Sequence, residues 1–499
     1  MKRSVLIVAV AVLLACVGGA MYMQNAKKEE VRRFIDQLPG TLAAERIDVP
    51  LFGNRIEIHN LSGLFTFFEE APYEVKAEML ILEGVNRKAT GSSGVVKLVD
   101  RIRTKNFSLN AKGDAYPLLW KEVQDEGSDT QGFWLDMDAL KAITGLADEH
   151  FINAMLSARF GPSTCGKTRY AWLSVRDGYG PGTGGNLCTM TMESGSAESY
   201  SLLEFGKAAY TGVTLTEEGV YSVKAKEWGI TSGKTPRAVY TVASKGSLGT
   251  DEALVLVPQM VQEGYSLRGM RAADLEISID GVPGVIRAPR LDADIALNTK
   301  EILFRIESAS LLVPGSMAAL LSPELAFLER DMDELNLKAL LDVTTTIESA
   351  DKGAIRCAIE LSEPELGEFR NAFTLGGRPF SGPGAYLPLD TASIGFAGST
   401  SSMTDRNFLK LFYADAPGDT PGAGAARRAA MAAQLRTEDE YDQGLPLEAF
   451  RKLADFIEKS GTYELDVTVT APVSFMSLMW DPESVARALI YEVRHQPAQ

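Results

Sequence analysis

The sequence is short of basic residues, cysteine and histidine. Its 499 residues include 50 lysines and arginines against 66 aspartates and glutamates, which gives a formal charge of −16 at pH 7. A nucleic-acid-binding surface needs a basic face that neutralises phosphates, so this balance argues against a nucleic acid partner. Only three histidines occur, with no H-E-x-x-H pair among them. A zinc site would require distant segments to converge, and we predict no metal site.

Nothing in the composition is typical of a disordered or fibrous chain. Apolar residues make up 45% of the sequence and aromatic residues 8%, which is enough to build buried cores. Glycine and proline, at 45 and 22 residues, occur in ordinary proportions. No G-x-S-x-G nucleophile turn is present, so that class of serine hydrolase is not supported. Length alone corresponds to roughly two to four domains.

One long hydrophobic run is present, at the N-terminus. Residues 4–23 carry no charged side chain and follow a short basic start. Twenty residues in a helix span about 30 Å, the thickness of the hydrocarbon core of a bilayer. We therefore predict an uncleaved transmembrane anchor, with a cleaved signal peptide or a lipoprotein signal ending at Cys16 as alternatives. All three carry the rest of the chain across a membrane.

The negative charge belongs to the predicted exported body. Residues 1–33 hold six basic and two acidic side chains, so residues 34–499 carry 44 basic and 64 acidic ones, a net charge of −20. Anionic lipid headgroups repel such a body. We expect the anchor, rather than surface charge, to hold the protein at the membrane.

Beyond the anchor the dominant hydrophobic period is two. Polar and apolar side chains alternate over residues 55–59, 74–79, 291–297 and 463–469. This alternation predicts antiparallel strands with one buried and one solvated face. Helical patterns occur at residues 134–160, 322–335, 427–435, 447–458 and 481–494. The predicted fold class is α+β, with an N-terminal transmembrane helix followed by a mostly antiparallel β-rich body with inserted and C-terminal helices.

Two segments, residues 124–132 and 376–388, are rich in turn-forming residues and predict domain boundaries. The prediction is an anchor and juxtamembrane helix at 1–33 and a β-rich domain at 34–132. A mixed α+β domain at 133–375 and a helix-rich domain at 376–499 follow. The tripeptide Tyr-Ser-Leu occurs at residues 200–202 and again at 265–267, a faint repeat that suggests duplicated β-units.

The sharpest local pattern matches the phosphate-binding loop G-x-x-x-x-G-K-[ST]. Its four defining residues are Gly161, Gly166, Lys167 and Thr168. Such a loop needs a buried parallel strand before it and a helix after it, so that backbone N–H groups cradle the phosphates. The residues that follow, 170–175, read as a strand instead. We therefore predict that these residues bind no nucleotide, and we predict no cofactor.

A second glycine-rich pattern and two cysteines lie nearby. Residues 180–185 match G-x-G-x-x-G, but a strand pattern rather than a helix follows, so we predict a loop and not a dinucleotide site. Cys165 and Cys188 bracket this loop. The span suits one disulfide, worth about 3 kcal/mol in an exported protein. A disulfide-bearing turn is the preferred interpretation of the region.

A layout shared with a known group of proteins appears near the N-terminus. Residues 47–63, IDVPLFGNRIEIHNLSG, follow the anchor and a short basic helix. Residues 99–109 form a second strand pattern with the same Asn-apolar-Ser sequence. Over about 80 residues this layout resembles AsmA-like and related families of the bacterial envelope. The resemblance implies an inner-membrane anchor, a β-rich periplasmic body of residues 34–499 and a role in lipid handling or envelope biogenesis, with no catalytic residues to assign.

Three functions are compatible with these observations. The first is a non-enzymatic envelope protein that binds or scaffolds, with a lipid or another envelope protein as its partner besides the inner membrane. An open apolar face built from residues such as Val75, Ala77, Met79 and Ile81 would support lipid binding, and a closed core would favour scaffolding. The second is an exported enzyme with a dispersed carboxylate site. The third and most remote is a P-loop NTPase.

Overall fold

The computed structural model describes the chain from residue 41 to residue 498, with internal gaps. The described residues are 41–49, 54–67, 71–86, 88–89, 92–112, 121–141, 153–154, 156–173, 186–238, 259, 261–321, 325–349, 351–379, 388–390, 393–437, 446–474 and 488–498. The chain divides into two compact units, Met1–Ala273 and Asp274–Gln499, called unit 1 and unit 2. This division differs from the predicted boundaries after residues 132 and 375, which both fall within strands.

Unit 1 begins with a five-stranded antiparallel meander. Its strands are β1 (Ala43–Asp48), β2 (Arg55–Phe67), β3 (Ala71–Glu83), β4 (Val95–Ala111) and β5 (Glu122–Asp136). Each strand pairs with the next. The predicted alternation at residues 55–59 and 74–79 is confirmed as strand, and most of its apolar side chains are buried, with Ile56, Ile58 and Val75 at most 1% exposed.

The repeated Asn-apolar-Ser pattern marks a kink in this meander. Asn60 on β2 and Asn106 on β4 both adopt the left-handed conformation, with φ of 49° and 46°. Both asparagines lie opposite Glu78 on β3. The residues on either side of Glu78, Ala77 and Met79, pair with the residues that flank each asparagine. At this position the alternation of buried residues shifts by one. On β2 the buried residues before the asparagine are the even-numbered Ile56 and Ile58, and the buried residue after it is the odd-numbered Leu61. A left-handed residue reverses which side chains face the core, and asparagine tolerates this conformation better than most residues.

Substitution of Asn106 tests the role of this kink. We expect Asn106→Val to lower the free energy of unfolding by about 1–2 kcal/mol, because a β-branched residue is strained at positive φ. Asn106→Gly, which accepts the same backbone, should cost less although it loses the contact with Glu78. Urea unfolding of both variants checks the ranking, and equal losses would show that the conformation is not required.

Short strands complete unit 1. After helix α1 (Met137–Lys141) come β6 (Arg159–Phe160), β7 (Ser163–Cys165), β8 (Thr168–Leu173), β9 (Leu187–Met192), β10 (Ser194–Ala197), β11 (Tyr200–Ser201), β12 (Glu204–Phe205), β13 (Ala208–Glu217), β14 (Tyr221–Ile230), β15 (Ser232–Lys234) and β16 (Tyr265–Ile279). The last of these strands continues across the division at residue 273.

The pairing of these strands closes on itself twice. Strands β5, β8, β9, β13, β10 and β7 form one cycle, in which each pairs with the next and β7 returns to β5. A second cycle runs through β5, β6, β11, β12, β15, β16, β14, β13, β10 and β7. Because a closed cycle of strands encloses an interior, the second one creates the site described below.

Unit 2 is an antiparallel meander with helices inserted between its strands. The strands are β17 (Ile286–Leu297), β18 (Ile302–Pro314), β19 (Glu334–Ser349), β20 (Lys352–Glu363), β21 (Gly367–Gly377), β22 (Gly395–Asp405), β23 (Gly461–Ser474) and β24 (Leu489–Gln496). The helices are α2 (Gly315–Leu321), α3 (Ala326–Asp331), α4 (Phe408–Phe412), α5 (Ala423–Thr437) and α6 (Leu447–Lys459). Consecutive strands pair throughout.

The mostly antiparallel β architecture with inserted helices is confirmed, as are the helices predicted at residues 427–435 and 447–458. Two predictions of local structure are wrong. Residues 124–136 belong to β5 and residues 159–160 to β6, although turn and helix were predicted there. Residues 489–494 form the edge strand β24 rather than the end of a helix. In each case pairing with a neighbouring strand outweighed the local preference of the sequence.

The membrane anchor cannot be compared with the structure. Residues 4–23 lie outside the described residues. Within the described part of the chain, no helix has the length and hydrophobicity needed to cross a bilayer.

Candidate functional site

Unit 1 contains an apolar cavity of about 330 Å³, enclosed by strands of the second cycle. Five aromatic side chains line it, and we call it the aromatic cavity: Tyr200, Phe205, Tyr210, Trp228 and Tyr265. Longer aliphatic side chains contribute most of the remaining wall: Met190, Val213, Leu215, Ile230, Leu267 and Met270. Three small residues complete the lining: Ala197, Ser201 and Ala208. Its volume lies at the lower end of the range for small-molecule sites, about 300–1,000 Å³.

A row of aromatic residues across four neighbouring strands ends at the cavity, where Tyr200 and Phe205 belong to one wall. Phe133, Phe160, Tyr200 and Phe205 lie opposite one another in register on β5, β6, β11 and β12. The rings of Phe133 and Phe160, and those of Phe160 and Tyr200, stack with centroids 4.9 Å apart. Gly233 on β15 makes room at the end of the row, because a Cβ there would come within 2.0 Å of the Phe205 ring. The wall is therefore fixed by strand register as well as by packing.

The opposite wall comes from the β13–β14 hairpin. Tyr210 lies opposite Trp228, and Ala208 lies opposite Ile230. Side chains that are paired across antiparallel strands share one face of the sheet, so this hairpin presents all four to the cavity. Ala209, between two lining residues on β13, points the other way and is exposed.

The lining residues differ in burial, which gives the cavity a floor and a rim. Met190, Ala197, Ala208 and Val213 are 4–8% exposed and form the floor. The side chains contributed by β12, β14 and β16 are half-buried and form the rim. A ligand would enter past the rim and place its most apolar part against the floor.

Among the described residues, none that lines the cavity carries a charged side chain. Burial raises the pKa of Tyr200 and of Tyr210 above the ordinary value, so both phenols stay neutral. The Tyr200 hydroxyl lies 3.4 Å from that of Thr130, and the Ser201 hydroxyl accepts the N–H of Glu204 at 2.9 Å. Both hydroxyl groups therefore already have hydrogen-bond partners within the protein.

A buried carboxyl group lies on β5, near Tyr170 and Cys165. Asp125 accepts hydrogen bonds from the backbone N–H of Gly127 at 3.1 Å and from the Thr168 hydroxyl at 3.4 Å. Loss of solvation raises the pKa of Asp125, and these hydrogen bonds only partly offset the effect. Asp125 does not line the aromatic cavity.

The shifted pKa of Asp125 predicts how stability depends on pH. Because the folded protein holds this proton more tightly than the unfolded chain, the free energy of unfolding falls as pH rises from the usual aspartate pKa through the raised value. Asp125→Asn keeps an acceptor oxygen and removes the titration. We expect the variant to gain stability over the parent at pH 7 and to show no gain below the usual aspartate pKa, measured by urea unfolding at several pH values.

Asp129, also on β5, serves as a control because its pKa is shifted in the opposite direction to that of Asp125. Its hydrogen bonds to Arg101 hold its pKa below the usual range. Its stabilising effect is therefore present at neutral pH and disappears as pH falls through the lowered pKa. Asp129→Asn should lower the free energy of unfolding at pH 7. If Asp125→Asn and Asp129→Asn changed stability with pH in the same way, the opposite pKa shifts of the two aspartates would be contradicted.

The P-loop look-alike forms part of the antiparallel sheet. Gly161, Gly166, Lys167 and Thr168 lie on or beside β7 and β8, which pair with β5. The N–H of Gly166 donates to the carbonyl of Gly127 at 2.8 Å, so it is not directed at a ligand. The Thr168 side chain is buried and bonded to Asp125. The segment therefore lies in antiparallel strands and not in the strand–loop–helix unit that a phosphate-binding loop requires. Residues 180–185 lie outside the described residues.

The predicted disulfide between Cys165 and Cys188 is not formed. Cys165 is a free thiol on β7, opposite Ser128 and Gly195. Cys188 lies on β9, opposite Trp172 and Glu217. The two strands that carry the cysteines do not pair with each other, because β7 is held between β5 and β10. Sequence spacing could not give the order of the strands, which keeps the two cysteines on strands that do not pair.

One group of side chains has the composition of a metal site. Ligand atoms of Asp48, Glu57 and His59, on β1 and β2, all lie within 4.8 Å of one another. Arg46 lies 2.8 Å from Asp48, and Arg55 lies 2.7 Å from Glu57. The carboxylates are thus already neutralised by arginine, and an ion-pair network accounts for the cluster. Of the other histidines, His495 contacts the Ser460 carbonyl at 2.8 Å, and His150 lies outside the described residues.

The apolar face suggested on β3 is not open. Val75, Ala77 and Ile81 are buried, the first two in the core of unit 1. An exposed apolar surface occurs instead on unit 2, where Leu361 and Phe369 face each other on β20 and β21 and are 37% and 40% exposed. Single-sequence reasoning missed the aromatic cavity. The only signal was the Tyr-Ser-Leu repeat, since residues from both copies line it.

No protein-family model, no curated protein and no solved structure matches this chain.

Proposed function

We propose that this chain is a membrane-anchored cell-envelope protein that binds a lipid or a similar apolar ligand in the aromatic cavity. The cavity carries the proposal: a preformed, uncharged space with a buried floor and a half-buried aromatic rim. Cavities of this kind are the usual binding sites of small apolar molecules. No described residue is assigned a catalytic role, and binding is proposed as the activity itself.

The chemistry of the lining favours an apolar ligand over a charged one. Each square ångström of apolar ligand surface removed from water contributes about 25 cal/mol. A charged group placed against this lining would lose its hydration without gaining a partner, at a cost of several kcal/mol. Nucleotides, which are charged, therefore fit poorly, whereas hydrocarbon fits well.

The proposed location follows from the sequence. Residues 4–23 are long and apolar enough to span a bilayer, and the layout that follows resembles AsmA-like envelope proteins. Residues 34–499, with a charge of −20, would be repelled by anionic headgroups. A tethered acidic body with an apolar cavity suits transient pick-up or holding of a lipid near the inner membrane, on its periplasmic side.

An enzyme with dispersed carboxylates is supported less well. Among the described carboxyl groups with a shifted pKa, only that of Asp125 is raised. Its oxygens face hydroxyl and N–H groups of the protein itself, and it lies outside the cavity lining. No carboxyl group is thus placed against a bound ligand in the aromatic cavity.

Photolabelling of the full chain in native membrane vesicles tests the proposal. A membrane-soluble alkyl diazirine reacts with whatever it touches, and mass spectrometry of peptides locates the adducts. We expect adducts on peptides that carry Tyr200, Tyr210 and Trp228, together with adducts within residues 4–23. Absence of adducts from the cavity peptides would refute ligand binding there, and absence from residues 4–23 would refute the anchor.

A further inference from the structure

We infer that the aromatic cavity holds a single unbranched hydrocarbon chain that ends in a neutral polar group. This inference rests on the proposed function, because it names the class of ligand for the same cavity. Size, charge and shape of the lining each limit the ligand.

Size limits the number of chains to one. The cavity has about 330 Å³ of space. This space lies at the lower end of the range for small-molecule sites, about 300–1,000 Å³, which favours one hydrocarbon chain over two. Two chains of a membrane lipid would leave part of the ligand outside the lining.

Charge limits the polar end. Neither lysine nor arginine is among the lining residues, so a carboxylate or phosphate that entered would find no cation. Burial of such an anion without a partner costs far more than burial of a hydroxyl, which needs one hydrogen bond. Trp228 and Tyr265 at the rim combine an apolar ring with a polar N–H or O–H, the combination typical of boundaries between apolar and wet regions. A neutral end at this rim satisfies both requirements.

Shape favours a flexible chain over a rigid multi-ring molecule. The lining combines rings held by strand register, as in the Tyr200 wall, with two methionines, Met190 at the floor and Met270 at the rim. Methionine side chains adapt to the outline of what they contact. A flexible chain can follow the fixed rings, and the methionines can close around chains that differ slightly in length.

Native mass spectrometry of the full chain in mild detergent tests the inference. The protein is equilibrated with an equimolar mixture of primary alcohols from octanol to octadecanol, and the bound species are identified by mass. We expect one alcohol per chain. Retention should rise about fourfold per added methylene until the chain fills the cavity, and it should level off before octadecanol. Dodecanoate, added in competition, should be retained less than dodecanol.

The possible outcomes separate the inference from the proposed function. Retention that keeps rising to octadecanol, two alcohols per chain, or a preference for dodecanoate would overturn the inference alone. Ala208→Phe should lower retention about tenfold or more, since the new ring occupies part of the floor, whereas Ala209→Phe on the exposed face should leave retention close to that of the parent. Retention that is unaffected by Ala208→Phe would place the alcohol elsewhere and would overturn the proposed function as well.

Discussion

Replacement of Ala208 by phenylalanine is expected to reduce photolabelling of the aromatic cavity about tenfold or more. Ala208 lies at the floor, where it is 4% exposed, and its Cβ points into the space that the ligand would fill. The added ring would exclude at least two methylene-sized groups. Each buried methylene is worth about 0.8 kcal/mol and 1.4 kcal/mol is a factor of ten in affinity, so this loss accounts for the expected effect.

The neighbouring residue provides the matched control. Ala209→Phe adds the same ring to the same strand, but on its exposed face. Its labelling should stay close to that of the parent protein. Both variants should unfold at nearly the parent temperature, because the ring at 208 enters existing space and the ring at 209 enters solvent. Equal labelling of the parent and both variants would show that the cavity is not where the probe binds.

Replacement of Phe133 by alanine is expected to lower the free energy of unfolding by about 3–5 kcal/mol, the largest effect of a single substitution proposed for this protein. Phe133 is completely buried and belongs to the core of unit 1. Its ring supports that of Phe160, which in turn supports Tyr200 in the wall of the cavity. Truncation removes apolar contacts and leaves a void that the surrounding strands cannot close without moving the Tyr200 wall.

Denaturant unfolding measures this loss, and Val95→Ala is its control. Val95 lies on the adjacent strand β4, but half of its side chain surface is exposed. Its truncation should cost less than about 1 kcal/mol. Phe133→Ala should also weaken cavity labelling under conditions where the variant is still folded, because the stack that positions Tyr200 is broken. A loss of stability similar to that of Val95→Ala would contradict the central place of Phe133 in the core.

The resemblance to AsmA-like proteins rested partly on the repeated Asn-apolar-Ser sequence, and the structure shows which backbone conformation that sequence adopts in this chain. Asn60 and Asn106 stand at the start of the two Asn-apolar-Ser sequences, and both take the left-handed conformation. The pattern thus encodes a kink at which strands β2 and β4 exchange inward and outward faces. This explains the pattern within this chain and does not by itself establish membership of a family.

The local sequence predicted strands correctly where one face of the strand is buried and the other is exposed to solvent. The alternation at residues 55–59, 291–297 and 463–469 correctly predicted strands β2, β17 and β23. It failed at residues 124–136 and 489–494, where the local preference was for turn or helix and the chain is nevertheless in a strand. Both segments gain backbone hydrogen bonds and buried contacts from neighbouring strands, and these gains exceed the small differences in intrinsic propensity.

The sequence by itself determined that this protein is a mostly antiparallel β structure with an acidic body and one long apolar segment at its start. Period-two hydrophobicity and charge counts are local properties, so they can be read without knowing which segments meet. Only the tertiary structure decided where the cavity lies, that Cys165 is not bonded to Cys188, and that the P-loop look-alike is a pair of antiparallel strands. These features depend on strand order and on the closure of β5 through β16 into cycles, which bring together residues far apart in the sequence, such as Met190 and Met270 in the cavity lining. Partner choice among strands is set by the sum of many weak contacts across the whole sheet, and no single segment carries that information.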